Sequence, residues 1–232
     1  YICLPKTAWP SDFPKTREDV NEARRRMVFE ELFLLCCGLQ QLKERRRADS
    51  GIRFDSSRLD DFFAALPFSP TGAQRRAIME IAADCASGRP MNRLVQGDVG
   101  SGKTMVAAAA IYMAAKNGLQ CALMAPTEIL AEQHYRSLAP LLEPLGIPCA
   151  LLTASTRARE RRALNERLRS GELSLVIGTH ALLSPDVQYQ NLGLVVTDEQ
   201  HRFGVDQRAA LSAKGDDPHL LVMSATPIPR TL

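Results

Sequence analysis

The 232-residue sequence has no stretch able to cross a bilayer. Its longest apolar run, Met105 to Ala115, falls short of the roughly 20 residues a spanning helix needs. No secretory leader is written at the start, where YICLPKTAWP lacks a basic region followed by an apolar one. The cysteines, at 3, 36, 37, 85, 121 and 149, show no C-x-x-C pair and no Cys/His metal spacing. That pattern argues against a disulfide framework and for buried, reduced thiols in a cytoplasmic protein. Repeats and low-complexity tracts are missing too. Charge of one sign is barely in excess: 29 Lys+Arg against 26 Asp+Glu give a net +3. A nucleic-acid partner therefore has to be argued from local arginine clusters, not from the whole chain.

The remaining composition, 45% hydrophobic and 24% charged, is that of a globular domain. The length suits one sizeable α/β domain with an appendage. Because the chain opens on Tyr1 and stops at Arg230-Thr231-Leu232 without an obvious terminal element, it is read as a piece of a longer protein.

Residues 16–47 predict one long helix, with Val28, Leu32, Leu35, Leu39 and Leu42 on a single stripe that Phe29, Phe33 and Cys36 widen. Arginine triplets at 24–26 and 45–47 flank it, either as solvated charge on a packed helix or as phosphate contacts. Ala48 to Asp61 is polar and reads as a connector, so residues 1–65 form a linker region and 66–232 a domain. Helices are predicted over 72–87, 103–116, 128–142, 157–170 and 205–214, and strands over 93–96, 120–125, 148–152, 173–177, 192–197 and 219–223. Their alternation implies a mainly parallel sheet with crossover helices on both faces.

Gly97-Asp98-Val99-Gly100-Ser101-Gly102-Lys103-Thr104 fits the phosphate-loop pattern G-x-x-x-x-G-K-[ST], between a predicted strand and a predicted helix. Its glycines let successive N–H groups turn toward phosphate oxygens at a helix N-terminus. Lys103 would reach the β/γ-phosphates and Thr104 would ligate Mg²⁺. The second half of such a site is a carboxylate at the end of an apolar strand, which Leu194-Val195-Val196-Thr197-Asp198-Glu199 supplies. Asp198 would hold the Mg²⁺, and Glu199 would orient or deprotonate an attacking water. The chemistry to this point is hydrolysis of a nucleoside triphosphate. No LSGGQ-like segment follows the loop, which argues against an ABC-type ATPase.

Further segments resemble the motifs of superfamily 2 helicases. Asp198-Glu199-Gln200-His201 resembles motif II, Ser224-Ala225-Thr226 motif III, Ala125-Pro126-Thr127-Glu128-Ile129-Leu130-Ala131-Glu132-Gln133-His134 motif Ia, and Gly178-Thr179-His180-Ala181-Leu182 motif Ib; Leu66 to Gln74 resembles the adenine-reading segment. Within that superfamily the chain resembles the RecG family of bacterial ATP-dependent DNA helicases, specifically over 66–232 and more weakly over 15–47. The related transcription-repair coupling translocases usually carry DEEH where this chain has DEQH. The resemblance implies a RecA-like P-loop NTPase domain, the first of two motor domains, preceded by a linker helix. It implies ATP and Mg²⁺ as cofactors, with Gln74 reading adenine. Gln200, His201, Ser224, Ala225 and Thr226 would couple nucleotide state to motion. Pro126, Thr127, Thr179 and His180 would hold the DNA backbone on a face opposite the nucleotide edge.

Implied partners are branched DNA (forks and Holliday junctions), a second RecA-like domain and a wedge domain of the same parent chain, and single-strand DNA-binding protein. This piece alone would turn ATP over poorly. Two rivals stand beside that reading: a coupling translocase and a nucleotide-gated binding module without hydrolysis. The family commonly has Thr-Gly-Ser where this chain has Thr153-Ala154-Ser155, and an aliphatic residue where it has Thr197. Six arginines over 157–169 offer either a solvated helix or a phosphate-tracking face.

Overall fold

The structure, a computed structural model, describes residues 16–45, 52–198 and 205–225. They fall in two units, one ending at Ala48 and the other starting at Asp49. The first contains helix α1 (Arg17–Arg45), which carries acidic Glu18 and Asp19 in its first turn, where the helix dipole favours them. Val28, Phe29, Leu32, Phe33, Leu35 and Leu39 of its predicted stripe are exposed, and Phe29 and Phe33 stack on one another at 5.9 Å. One arginine of the 24–26 triplet, Arg26, pairs with Glu30 one turn on.

The second unit is built on six strands: β1 (Asn92–Gln96), β2 (Gln120–Met124), β3 (Cys149–Leu152), β4 (Leu175–Gly178), β5 (Leu192–Asp198) and β6 (His219–Ser224). They lie in the order β1-β6-β5-β2-β4-β3, and every pair is parallel. Strands β2 and β4 are buried at every position and β5 at all but its last, as near-continuous apolar strands must be when helices cover both faces. One face carries α3 (Gly72–Ala86), α4 (Lys103–Lys116) and α5 (Glu128–Leu142); the other is packed by α6 (Ala158–Arg169) and α7 (Val205–Ser212). Helix α4 is buried continuously from Met105 to Ala114, and its alanines let it lie close against the sheet. The mainly parallel α/β architecture read from the sequence is the architecture observed.

The connector is not wholly a connector. Helix α2 (Leu59–Ala65) forms inside and just beyond it, and Phe54, Leu59 and Phe62 are core residues of the second unit. Asn117, just past α4, exchanges hydrogen bonds with the Asp55 backbone: its side-chain oxygen accepts from Asp55 N at 2.8 Å and its amide donates to Asp55 O at 3.0 Å.

Two buried polar side chains fasten distant segments. Gln120 donates to the carbonyls of Leu168 (2.9 Å) and Leu173 (2.8 Å) and accepts from the amides of Gln190 (2.7 Å) and Asn191 (3.0 Å), so all its main bonding positions are used. His219 accepts at Nδ1 from Met91 N (2.9 Å) and donates from Nε2 to Ile52 O (2.6 Å), which is possible only for the neutral ring. Burial holds its pKa below the ordinary 6.5. The folded protein thus binds fewer protons than the unfolded chain, so this contribution is complete above pH 6.5 and is lost as pH falls toward the depressed value. The urea midpoint should drop between pH 7.5 and 5.5, and His219→Asn should make that drop smaller.

Thr197 keeps its strand in register between Met124 and Val222, as a β-branched residue can. Its hydroxyl, however, is fully buried and has no hydrogen-bond partner among the described residues. An unsatisfied buried hydroxyl costs about 1–3 kcal/mol, so Thr197→Val should raise the urea midpoint by about 1 kcal/mol in stability with an unchanged slope.

Candidate functional site

Chain that leaves the carboxyl ends of six parallel strands emerges on one edge of the sheet, where open α/β sheets place their ligands. The glycine-rich loop follows β1. Gly100 and Gly102 have φ of +82° and +81°, a region closed to most side chains, and Gly102 caps α4 in that left-handed state. A Cβ on Gly102 would collide with the Gln74 amide, and one on Gly97 would come within 2.7 Å of Ser101 Oγ, so the loop packs tightly at both of its ends. Lys103 folds across it, donating to the carbonyls of Gly97 (2.6 Å) and Asp98 (2.9 Å). Such a loop puts backbone donors and a cationic head at one point, the arrangement that receives polyphosphate. Thr104 follows in the first turn of α4, Ser101 closes the turn onto Asp98 O (3.1 Å), and Val99 stands exposed at the tip.

Beside the loop, the end of β6 lies between the ends of β1 and β5. Ser224 accepts from Gly97 N through its carbonyl (3.2 Å) and donates its hydroxyl to Ala225 O (3.0 Å). Asp198 ends β5, partly buried, with Oδ2 at 2.7 Å from His134 Nε2. Glu199, Gln200, His201 and Thr226 lie outside the described residues. Gln74 closes a capping box with Thr71, accepting from its amide at 2.9 Å, and donates to Ser101 O at 2.9 Å. One amide hydrogen and one oxygen lone pair stay available for another partner. The residues fit a nucleotide polyphosphate and its cation: the loop is shaped for backbone approach, and Thr104 and Asp198 offer the hard oxygen ligands that Mg²⁺ takes.

The segments expected to hold DNA follow β2 and β4. Thr127 caps α5 by accepting from Leu130 N (3.3 Å), and Ala125 N donates to Gly178 O (2.8 Å), which ties the two segments together. Pro126 is half-buried and His180 is exposed at the start of a short 3-10 turn. Thr179 is buried, with its hydroxyl unpartnered among the described residues, so it presents no hydroxyl at the surface. The expected placement of these segments opposite the nucleotide edge is corrected: in an all-parallel sheet both sets emerge on the same edge, the glycine-rich loop over β1 and β6 and the segments expected to hold DNA over β2 and β4. Next to them Thr153 is buried, its hydroxyl 2.8 Å from Ser155 Oγ, while Ser155 N donates to Glu128 (3.2 Å).

The arginines of 157–169 divide. Arg161 grips Asp186 with two hydrogen bonds (2.8 and 3.0 Å), and that contact, with Ser184 and Asn165, holds the Asp186 carboxyl far below its usual range. Arg167 pairs with Glu172. These two serve the fold, which leaves Arg157, Arg159, Arg162 and Arg169 exposed.

The sequence alone gives His134, the last residue of the segment that resembles motif Ia, no role of its own. The signal was there: Ala131, His134 and Leu138 share the buried stripe of α5, and a histidine on such a stripe needs a partner.

Residues 71–232 match the DEAD/DEAH box helicase family. The chain is similar to "ATP-dependent DNA helicase RecG" of Bacillus subtilis, 52% identical over 222 residues that cover 94% of this chain and 33% of that protein. The RecG of Synechocystis is 52% identical over 223 residues, covering 95% and 27%. Among solved structures, RecG bound to a three-way DNA junction superposes with a TM-score of 0.80 at 46% identity, over 94% of this chain and 30% of that one. The helicase UvsW of bacteriophage T4 shares the fold at 12% identity, with a TM-score of 0.56 over 78% of this chain and 63% of that one. The chain spans about a third of the length of the curated relatives it matches.

Proposed function

The chain belongs to the DEAD/DEAH box helicase family, and on that premise we propose that it is the ATP-binding motor domain of a RecG-type double-strand DNA translocase that remodels forks and Holliday junctions. The observation that carries this is the joining, on one sheet edge, of a Lys103-bearing glycine cradle after β1 with an acidic strand end at Asp198. Lys103 trades its two loop carbonyls for β/γ-phosphate oxygens. Thr104 and Asp198 hold the Mg²⁺, which neutralises charge on the phosphates, and Gln74 uses its remaining bonding capacity on the adenine edge. Glu199 orients the attacking water; Gln200, His201, Ser224, Ala225 and Thr226 pass the nucleotide state to neighbouring structure.

Pro126, Thr127, the backbone around Thr179, and His180 meet phosphates without reading sequence, which suits a motor that steps along any duplex. Identity of about one half with RecG relatives over nearly the whole chain weighs for this reading over the coupling translocase. We assign the second RecA-like domain, the wedge and any contact with single-strand DNA-binding protein to the rest of such a parent, working in the cytoplasm on branched DNA. The second motor domain supplies an arginine worth roughly 10³–10⁵ in rate in related NTPases, so this chain alone turns over slowly.

The test pairs ATP binding by calorimetry with ATP turnover, with and without forked DNA, against Lys103→Ala. Binding that the variant loses, with turnover near the variant's level, is the expected result. Equal binding by both proteins would overturn the nucleotide assignment. Robust fork-stimulated turnover that Lys103→Ala abolishes would overturn the need for a second domain.

A further inference from the structure

Helix α5 begins at the Thr127 cap and, two turns on, directs one polar side chain into the sheet edge at the nucleotide end. His134 is 8% exposed, and its Nε2 lies 2.7 Å from Asp198 Oδ2, across 64 residues of sequence. The carboxylate can only accept, so Nε2 donates. We propose that His134 is a positioning residue for the divalent cation: by holding Oδ2 of Asp198 it fixes the carboxylate's rotation and leaves Oδ1 as the oxygen open to the metal or its water. The inference rests on the reading of Asp198 as the Mg²⁺ ligand.

Three observations favour positioning over simple packing. An aspartate ending a strand has two free side-chain torsions, and His134 is the hydrogen-bond partner of its carboxylate among the described residues. The neighbours of His134 on the same stripe, Ala131 and Leu138, are apolar, so an aliphatic residue would fill the site at least as well. Moreover, α5 is anchored away from this contact by its Thr127 cap and by Glu128 on Ser155 N, so the imidazole is held by a fixed helix. Donors behind a metal-binding carboxylate are what set its orientation, and their loss typically costs roughly 10–100-fold in metal affinity.

The experiment measures ATP affinity of the 232-residue chain by calorimetry in saturating Mg²⁺ and in EDTA; the ratio is the metal-dependent gain. His134→Ala should lower that gain roughly 10–100-fold and leave the EDTA affinity unchanged, because the Lys103 loop is intact. His134→Gln, whose amide can donate, should recover most of it; Asp198→Asn should abolish it. A full gain in His134→Ala beside a lost gain in Asp198→Asn would overturn the inference alone. Equal losses in His134→Ala and His134→Gln would overturn it as well, because packing and not the donor would then be responsible. No gain in the unsubstituted chain, or an unchanged gain in Asp198→Asn, would overturn the reading of Asp198 and the inference with it.

Discussion

Replacing Lys103 by alanine weakens ATP binding roughly 10- to 150-fold, the range expected for losing one charged hydrogen-bonding group worth about 1.5–3 kcal/mol. In the free protein the ammonium donates to the Gly97 and Asp98 carbonyls, 2.6 and 2.9 Å away. Those bonds orient it over the cradle but hold it there only lightly, since both acceptors belong to a glycine-rich loop that water also reaches. Phosphate oxygens offer a full opposing charge in the same place, so the exchange is favourable, and only the lysine makes it so. The fold loses little: the loop's turn is set by Gly100 and Gly102 and by Ser101 N on Asp98 O, none of which involves the ammonium. Calorimetric titration with ATP and a urea unfolding curve on the same sample check both halves. An unfolding midpoint that fell in step with affinity would mean that Lys103 is a structural strut.

Much of this fold is legible in the order of the amino acids, for one physical reason. A parallel sheet covered on both faces leaves its strands as apolar runs, so Cys121-Ala122-Leu123-Met124 and Leu194-Val195-Val196 stand out, and α4 starts where Lys103 ends the glycine loop. The loop itself is a local motif, complete within eight residues. What is not local is not legible. Helix α2 spans seven residues, Leu59-Asp60-Asp61-Phe62-Phe63-Ala64-Ala65, too few to establish a period, and it begins at the end of a polar stretch. Gln120 and His219 look like ordinary polar residues at strand starts. Their partners are backbone groups 48 to 167 residues away, which nothing in the neighbouring sequence announces.

The site shows the same division. The glycine cradle, Lys103 and Asp198 are readable from spacing and strand context. The link from Asp198 to α5 is not, because His134 belongs to a different motif and the contact exists only once β5 lies beside β2. Motifs alone also misplace the sheet edge. They suggest opposite faces for the nucleotide segments and those expected to hold DNA, whereas the parallel topology brings both out on one edge, at different strands. Thr179 shows a second limit: a hydroxyl residue in a segment expected to hold DNA says nothing about which way the hydroxyl faces, and here it is buried.

Gly178→Ala should separate the two halves of that edge. Gly178 ends β4 and pairs with Met124 on one side and Leu152 on the other. A Cβ there would lie inside van der Waals contact with the Leu152 carbonyl oxygen, and 3.1 Å from Leu182 Cδ2. Leu182 has rotamers to move through, but the carbonyl is backbone in a ladder and has none. The strands must part, and β3 is the outermost strand of the sheet, so it yields before β2 does. Forced overpacking costs about 1–3 kcal/mol and occasionally more, and a backbone neighbour puts this site near the upper end. Urea unfolding should show that loss. The segments that follow β3 and β4, with Thr153 and His180, lose their placement, so affinity for a forked duplex should fall at least tenfold. The nucleotide loop hangs from β1 and β6, at the far side of the sheet with β5 and β2 between, and ATP affinity should change less than twofold. If ATP and DNA affinity fell together, the sheet would be transmitting the strain across its width, and the two sites would not be the independent neighbours that the strand order makes them.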